Sequence, residues 1–134
     1  MGLDIGDRRI GVALSDAEGI LATPLTILDR KDERQDVEAI INIVEQRQVE
    51  KIIVGLPYSM NGHIGKQAEK VMVFVQGLCS HTEVPVEFRD ERLTTVSARR
   101  LMQSASTKKT KRKAGNDAIA AAIILQGYLD EVRA

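Results

Sequence analysis

The chain of 134 residues is marked first by scarcity. Its one cysteine, Cys79, excludes an intrachain disulfide, and a thiol in an apolar helical stretch reads as packed rather than nucleophilic. A reducing cytoplasm is the expected compartment. There is no tryptophan, and with only two tyrosines and two phenylalanines extended base stacking is not expected. Charge of one sign is missing too. Lys plus Arg and Asp plus Glu each number 19, so the formal net charge is zero and any basic surface for a polyanion has to be local. No apolar run approaches the roughly 18 residues that a membrane span needs. The longest, Ala118 to Leu125, is short and rich in alanine, and no basic-then-apolar leader opens the sequence. No membrane partner is expected. The two histidines, His63 and His81, lack ligand-like spacing and carry no role.

What is present is a globular balance, 43% hydrophobic and 28% charged, with neither repeat nor domain boundary. A single domain over 1–134 is expected. Met1 to Ile5 and Arg9 to Leu14 read as strands, joined by a tight turn at Gly6-Asp7-Arg8. Ile20 to Leu28 is a third strand, with Pro24 marking an edge or a bulge. Between Asp32 and Gln48 the period becomes helical, with Val37, Ile40, Ile41 and Val44 inward. Lys51 to Gly55 is a β-branched run typical of a strand buried on both faces. A helix from Lys66 to Ser80 follows, then a strand at Val84 to Phe88 and a helix at Leu93 to Gln103. After a basic polar stretch, Ser104 to Asn116, comes a last helix from Asp117 to Val132. Hairpins first and β-α-β crossovers after them predict an α/β fold: a mixed five-stranded sheet with helices on both faces.

Three acidic positions stand out in this order of elements. Asp4 lies at the end of an apolar strand, where a carboxylate is costly to bury unless it binds something positive; a turn-capping role is the alternative. Asp90 and Glu91 follow another strand, and sites in open α/β sheets gather outside the carboxyl ends of strands. A helix N-terminus with Thr94 and Thr95 as caps would also account for these acids. Asp117 opens the last helix after Gly115-Asn116, where capping alone would suffice. The small residues behind it, Ala118, Ala120, Ala121 and Ala122, would let that helix lie close on the sheet and bring its carboxylate toward Asp4 and Glu91. Three carboxylates with no His or Cys among them select a hard cation, Mg²⁺ or Mn²⁺ rather than Zn²⁺. Such a site suits phosphodiester hydrolysis.

The segments Gly2-Leu3-Asp4-Ile5-Gly6, Arg9-Ile10-Gly11-Val12-Ala13 with Ser15-Asp16, and Val54-Gly55-Leu56-Pro57 with Asn61-Gly62 resemble the YqgF/RuvX family. So do Asp90-Glu91-Arg92-Leu93-Thr94-Thr95 and Lys113 to Asp117 followed by Ala120-Ala121. The motifs keep their order across nearly the whole chain. The resemblance implies a ribonuclease H-like fold related to Holliday-junction resolvases. It also implies a nuclease that matures the 5′ end of pre-16S ribosomal RNA, with Asp4, Glu91 and Asp117 as catalytic and metal-binding acids. Family members usually carry a few residues before the first motif, whereas this sequence begins at Met1-Gly2. Related resolvases carry a fourth carboxylate one helical turn before the last, and here that place is Ala114.

Around these acids, Lys108, Lys109, Lys111, Arg112 and Lys113 form a basic run that is expected to grip phosphates, Lys113 standing nearest the site. A solvated loop is the plainer alternative. Arg9, Asn61 and Arg92 are further candidates for contact with substrate, and Tyr58 for stacking on a base. The expected partner is nucleic acid: structured RNA, such as pre-rRNA or a pre-ribosomal particle, or junction DNA. A junction resolvase and a non-catalytic nucleic-acid-binding module of the same fold are the rival functions. An ATP-binding domain of the actin and sugar-kinase type would share the Asp4 to Val12 hairpin, but needs a second glycine-rich phosphate loop and a longer chain.

Overall fold

The computed structural model describes residues 1–58, 64–91 and 113–133; the side chains of 113–117 lie outside that description. β1 (Gly2–Ile5) and β2 (Arg9–Ser15) pair antiparallel about the expected turn, which the Gly6 N–H closes by donating to the Arg9 carbonyl at 2.9 Å. β3 (Ala22–Asp29) returns along β2 and is an edge strand. Its register slips between Val12 and Ala13, opposite Pro24, where the sequence placed a bulge and where a missing N–H is tolerated. Ile20 and Leu21, expected in this strand, are exposed in the preceding turn, their N–H groups donating to the Asp16 carboxylate.

α1 (Glu33–Arg47) starts where Asp32 accepts the Gln35 N–H at 2.8 Å and ends on Gln48 in the left-handed region. It buries Val37, Ile40 and Val44 at helical spacing. β4 (Ile52–Leu56) is buried throughout and lies parallel to β1. α2 (Lys66–Cys79) buries Val71, Phe74, Val75 and Leu78. That stripe excludes Cys79, which is exposed rather than packed as its apolar neighbourhood suggested. β5 (Val86–Asp90) pairs parallel with β4 and begins two residues later than its hydrophobic pattern implied. The Val84 N–H is taken by the Thr82 hydroxyl, and Pro85 has no N–H to pair.

α3 (Lys113–Arg133) already runs as helix four residues before Asp117, so Asp117 lies one turn inside it and does not open it. The expected start lay after Gly115-Asn116, but an interior glycine costs only about 1 kcal/mol against alanine. The helix buries Ala118, Ile119, Ala121, Ala122, Ile123, Ile124, Leu125 and Leu129, which outweighs that cost. The expected helix at Leu93 to Gln103 lies outside the described residues, and no described helix is long and apolar enough to cross a membrane.

The sheet order is β3-β2-β1-β4-β5, mixed and five-stranded as predicted. Alternation along its strands divides the core in two. Leu3, Ile5, Ile10, Val12, Ile52, Val54 and Leu56 pack with α1 and α2 on one face. Ala13, Ala22 and Ile53 pack with α3 on the other.

Candidate active site at the carboxyl ends of the parallel strands

β1, β4 and β5 run in one direction, so their carboxyl ends form one rim of the sheet. Asp4 is near the end of β1. Its neighbours Leu3 and Ile5 face α1 and α2, which turns Asp4 to the α3 face together with Gly2. Opposite it on β2 is Gly11, and Arg9, half-buried at the start of that strand, shares its face. Glu91 follows directly on Asp90, the last residue of β5. Its side chain turns back over β4: a Cβ built on Gly55 would stand 2.7 Å from Glu91 Oε1 and 3.0 Å from its Cγ. The same Cβ would collide with Cδ1 of Ile124, so the Glu91 carboxylate lies on the α3 face, as Asp4 does. Gly2 and Leu3 pair with Ile53 and Val54, and continuing that register sets Asp4 level with Gly55. Adjacent strands are about 4.8 Å apart, so the Glu91 carboxylate sits one strand spacing from the row that carries Asp4.

α3 crosses this face close to the backbone. A Cβ on Gly2 would meet the Ala121 carbonyl oxygen at 2.7 Å and Leu125 Cβ at 2.8 Å, an approach that only glycine permits. The direction of the helix follows from its far end. The Gln126 amide accepts from the Ala22 N–H and donates to the Ile20 carbonyl, both at 2.9 Å, and the Tyr128 hydroxyl accepts from Lys51 at 2.9 Å. Lys51 and Ala22 lie beside the amino end of the parallel strands, so α3 runs antiparallel to β1 and the turns before Ala121 lead toward the carboxyl rim. Asp117 belongs to those turns, one turn before Ala121; its side chain is outside the described residues. Among the described residues no group of three or more His, Cys, Asp or Glu side chains gathers in one place.

Of the other expected contacts, Lys113 begins α3 with its side chain undescribed, and Asn61, Arg92, Lys108, Lys109, Lys111 and Arg112 lie outside the described residues. Tyr58 is half-buried and packs against the α1/α2 core. On that same side of β1, away from Asp4, a cavity of about 180 Å³ is lined by Gly6, Asp7, Arg30, Gln67 and Lys70 among others. Its cations are paired, Arg30 with Asp36 at 2.8 Å and Lys70 with Asp7 at 3.5 Å. Arg30 also donates to the Gly6 carbonyl at 2.7 Å, which ties the β1–β2 turn to the body of the protein. The residue that sequence reading passed over is Gly55. A glycine within an otherwise aliphatic strand is the signal for a close approach, and the strand pattern of Lys51 to Gly55 takes it only as the end of the run.

A mixed sheet with its antiparallel hairpins first, a helix laid across one face and acids at the carboxyl rim define the ribonuclease H-like class of α/β protein. Solved structures share this fold. Thermus thermophilus RuvC in complex with a Holliday junction substrate superposes with a TM-score of 0.64, covering 98% of this chain and 94% of that one at 13% identity. The fowlpox virus resolvase in complex with Holliday junction DNA gives 0.57, covering 98% and 96% at 12% identity. The model of the family described as "RuvX: Holliday junction resolvase" matches residues 1–131, and the chain belongs to that family. A relative from Clostridioides difficile (strain 630) is 47% identical over 97% of this chain and 92% of its own length. One from Clostridium novyi (strain NT) is 47% identical over 98% of both. Both are named "Putative pre-16S rRNA nuclease". The protein is an enzyme of the nuclease class, a hydrolase.

Proposed function

We propose that this chain is a divalent-metal-dependent endonuclease that hydrolyses phosphodiester bonds in RNA, with 5′-end processing of pre-16S rRNA in the cytoplasm as its task. The name carried by relatives of 47% identity supports that substrate. The observation that carries the chemistry is the Glu91 carboxylate lying above Gly55, on the same face as Asp4 and at the rim near which β1 carries it. The direction of α3, whose turn before Ala121 carries Asp117, supports bringing that acid toward the same rim.

In this reading Asp4, Glu91 and Asp117 hold the cation. The donors are carboxylate oxygens, and the one described histidine, His81, is occupied by the Gly77 carbonyl at the far end of α2, so the set fits Mg²⁺ or Mn²⁺. When bound, such an ion neutralises charge on the phosphodiester and orients the attacking water. Everything else falls to the chain itself. The sheet rim and α3 hold the acids at fixed spacing. Lys108, Lys109, Lys111, Arg112 and Lys113 grip flanking phosphates, and Arg9, Asn61 and Arg92 orient the strand to be cut. The family description keeps a four-way DNA junction as the second substrate class.

The test is Asp4→Asn with and without Mn²⁺. Without metal the variant melts at or above the wild-type temperature, because one of several crowded carboxylates has lost its charge. With Mn²⁺ at about 100 times its Kd the wild type gains about 2.7 kcal/mol, and the variant gains less. Cleavage of a panel of structured RNA, single-stranded DNA and junction DNA then separates the two substrates and drops by orders of magnitude in the variant. A variant that melts well below wild type in metal-free buffer would make Asp4 a structural turn residue and remove the reading.

A further inference from the structure

β4 separates the two acids that the structure places on the α3 face of the rim. Asp4 comes from β1 on one side of it and Glu91 from the end of β5 on the other. To share a cation with Asp4, the Glu91 side chain has to cross the end of β4 on the α3 face, and the residue there is Gly55. Every other residue of β4 carries a large aliphatic side chain: Ile52, Ile53, Val54 and Leu56. Ile53, two residues back on the same face, packs into the α3 core. A side chain at 55 would likewise fill the space between sheet and helix, which Glu91 and Ile124 now occupy.

We propose that Gly55 is a positioning residue: its missing side chain is the slot through which Glu91 reaches from β5 toward Asp4. The proposal rests on the reading of Glu91 as a metal ligand and extends it. Even a methyl group at 55 would stand 2.7 Å from Glu91 Oε1, closer than that atom can approach it, and 3.0 Å from Cγ, tighter than ordinary contact, so the Glu91 side chain has to give way. The carboxylate then has to swing off the rim. That movement breaks the metal site while leaving β4 in the sheet, since its N–H and carbonyl groups do not depend on the side chain.

Gly55→Ala by itself confounds two effects, because the new methyl also strikes Cδ1 of Ile124. Ile124→Val deletes that carbon, so Gly55→Ala/Ile124→Val leaves the clash with Glu91 as the one that remains of the two. The experiment titrates Mn²⁺ into the full chain by calorimetry, and records melting temperatures in metal-free buffer. Wild type, Ile124→Val, the double variant and Glu91→Gln are compared. The expected result is that Ile124→Val binds Mn²⁺ as wild type does. The double variant binds it about 10- to 100-fold more weakly, the range found when the supports of a metal ligand are disturbed. Its metal-free melting temperature stays near that of Ile124→Val. A double variant that binds Mn²⁺ as tightly as Ile124→Val overturns the proposal and leaves the metal site intact. Absence of Mn²⁺ binding by wild type, or Glu91→Gln binding as wild type does, overturns the metal reading of Glu91 and the proposal with it. If the double variant melts too low to titrate, Glu91→Ala is added to it. Recovery of the melting temperature supports the clash at the slot, and failure to recover overturns it.

Discussion

Replacing Gly2 with alanine tests the feature that brings α3 to the rim. The added methyl lies 2.7 Å from the Ala121 carbonyl oxygen and 2.8 Å from Leu125 Cβ, whereas ordinary contact begins at 3.4 Å. Neither atom is the end of a flexible side chain. Relief therefore needs the helix to lift by about 0.7 Å over the middle strand of the sheet, across an interior packed like a crystal. Overpacking of this kind costs about 1–3 kcal/mol. The backbone origin of the clash argues for the upper half, and the alanine's smaller unfolded-state entropy returns about 0.4–1 kcal/mol. The net loss is about 2 kcal/mol, which for a chain of this length lowers the melting temperature by about 7 °C. Circular dichroism melts in metal-free buffer read it directly. Gly65→Ala is the control, since nothing lies within 4 Å of a Cβ there. Its effect should stay within about 1 kcal/mol, as a helix cap with open space beside it allows. A Gly2→Ala melt within 2 °C of wild type would refute the close packing of α3 (a threshold well below the shift of about 7 °C).

Asp36 is the one buried charged residue among those described; it accepts from Arg30 Nε at 2.8 Å and the Lys31 N–H at 3.0 Å. Asp36→Ala leaves the Arg30 guanidinium against Phe74 and the Gly6 carbonyl without its counter-charge. We expect a loss of about 2–3 kcal/mol by urea unfolding, below the range for fully buried pairs because Arg30 is partly exposed. A loss under about 1 kcal/mol would put the pair in the class of surface bridges and remove its role as anchor of the β1–β2 turn. On the proposed function, affinity for structured RNA falls with salt at a log–log slope of about −0.7 to −0.9 per phosphate contact. Replacing Lys108, Lys109 and Lys111 with alanine should flatten that slope at unchanged melting temperature. An unaltered slope would make the basic run a solvated surface.

The periodicities in the sequence were enough to define the scaffold. A period of two in Arg9 to Leu14, a helical period through Val37, Ile40 and Val44, and a continuous aliphatic run at Ile52 to Val54 encode strands and helices locally. Their order then leaves few topologies for a right-handed crossover to build. Even the irregularity opposite Pro24 was legible, because a missing N–H acts wherever proline occurs. Boundaries were less so. β5 was displaced by a hydroxyl that captured the Val84 N–H, and α3 by packing that carried the helix through Gly115.

Acidic residues at strand ends are visible in the sequence as residue types, and Asp4, Glu91 and Asp117 could be singled out on that ground together with family resemblance. Which side of the sheet each one takes could not be read so directly. It depends on register: a shift of one residue sends a side chain to the opposite face. Only the pairing of β1 with β4 and of β4 with β5 aligns Asp4, Gly55 and the end of β5 along one rim. The slot over Gly55 is legible still later, since a glycine announces room without saying what enters it. The tertiary structure decided that, because the occupants come from residues 91 and 124, brought there by a neighbouring strand and a helix distant in the chain. Local sequence determines which elements form and which of their residues can do chemistry. Contacts between distant segments determine which of those residues meet.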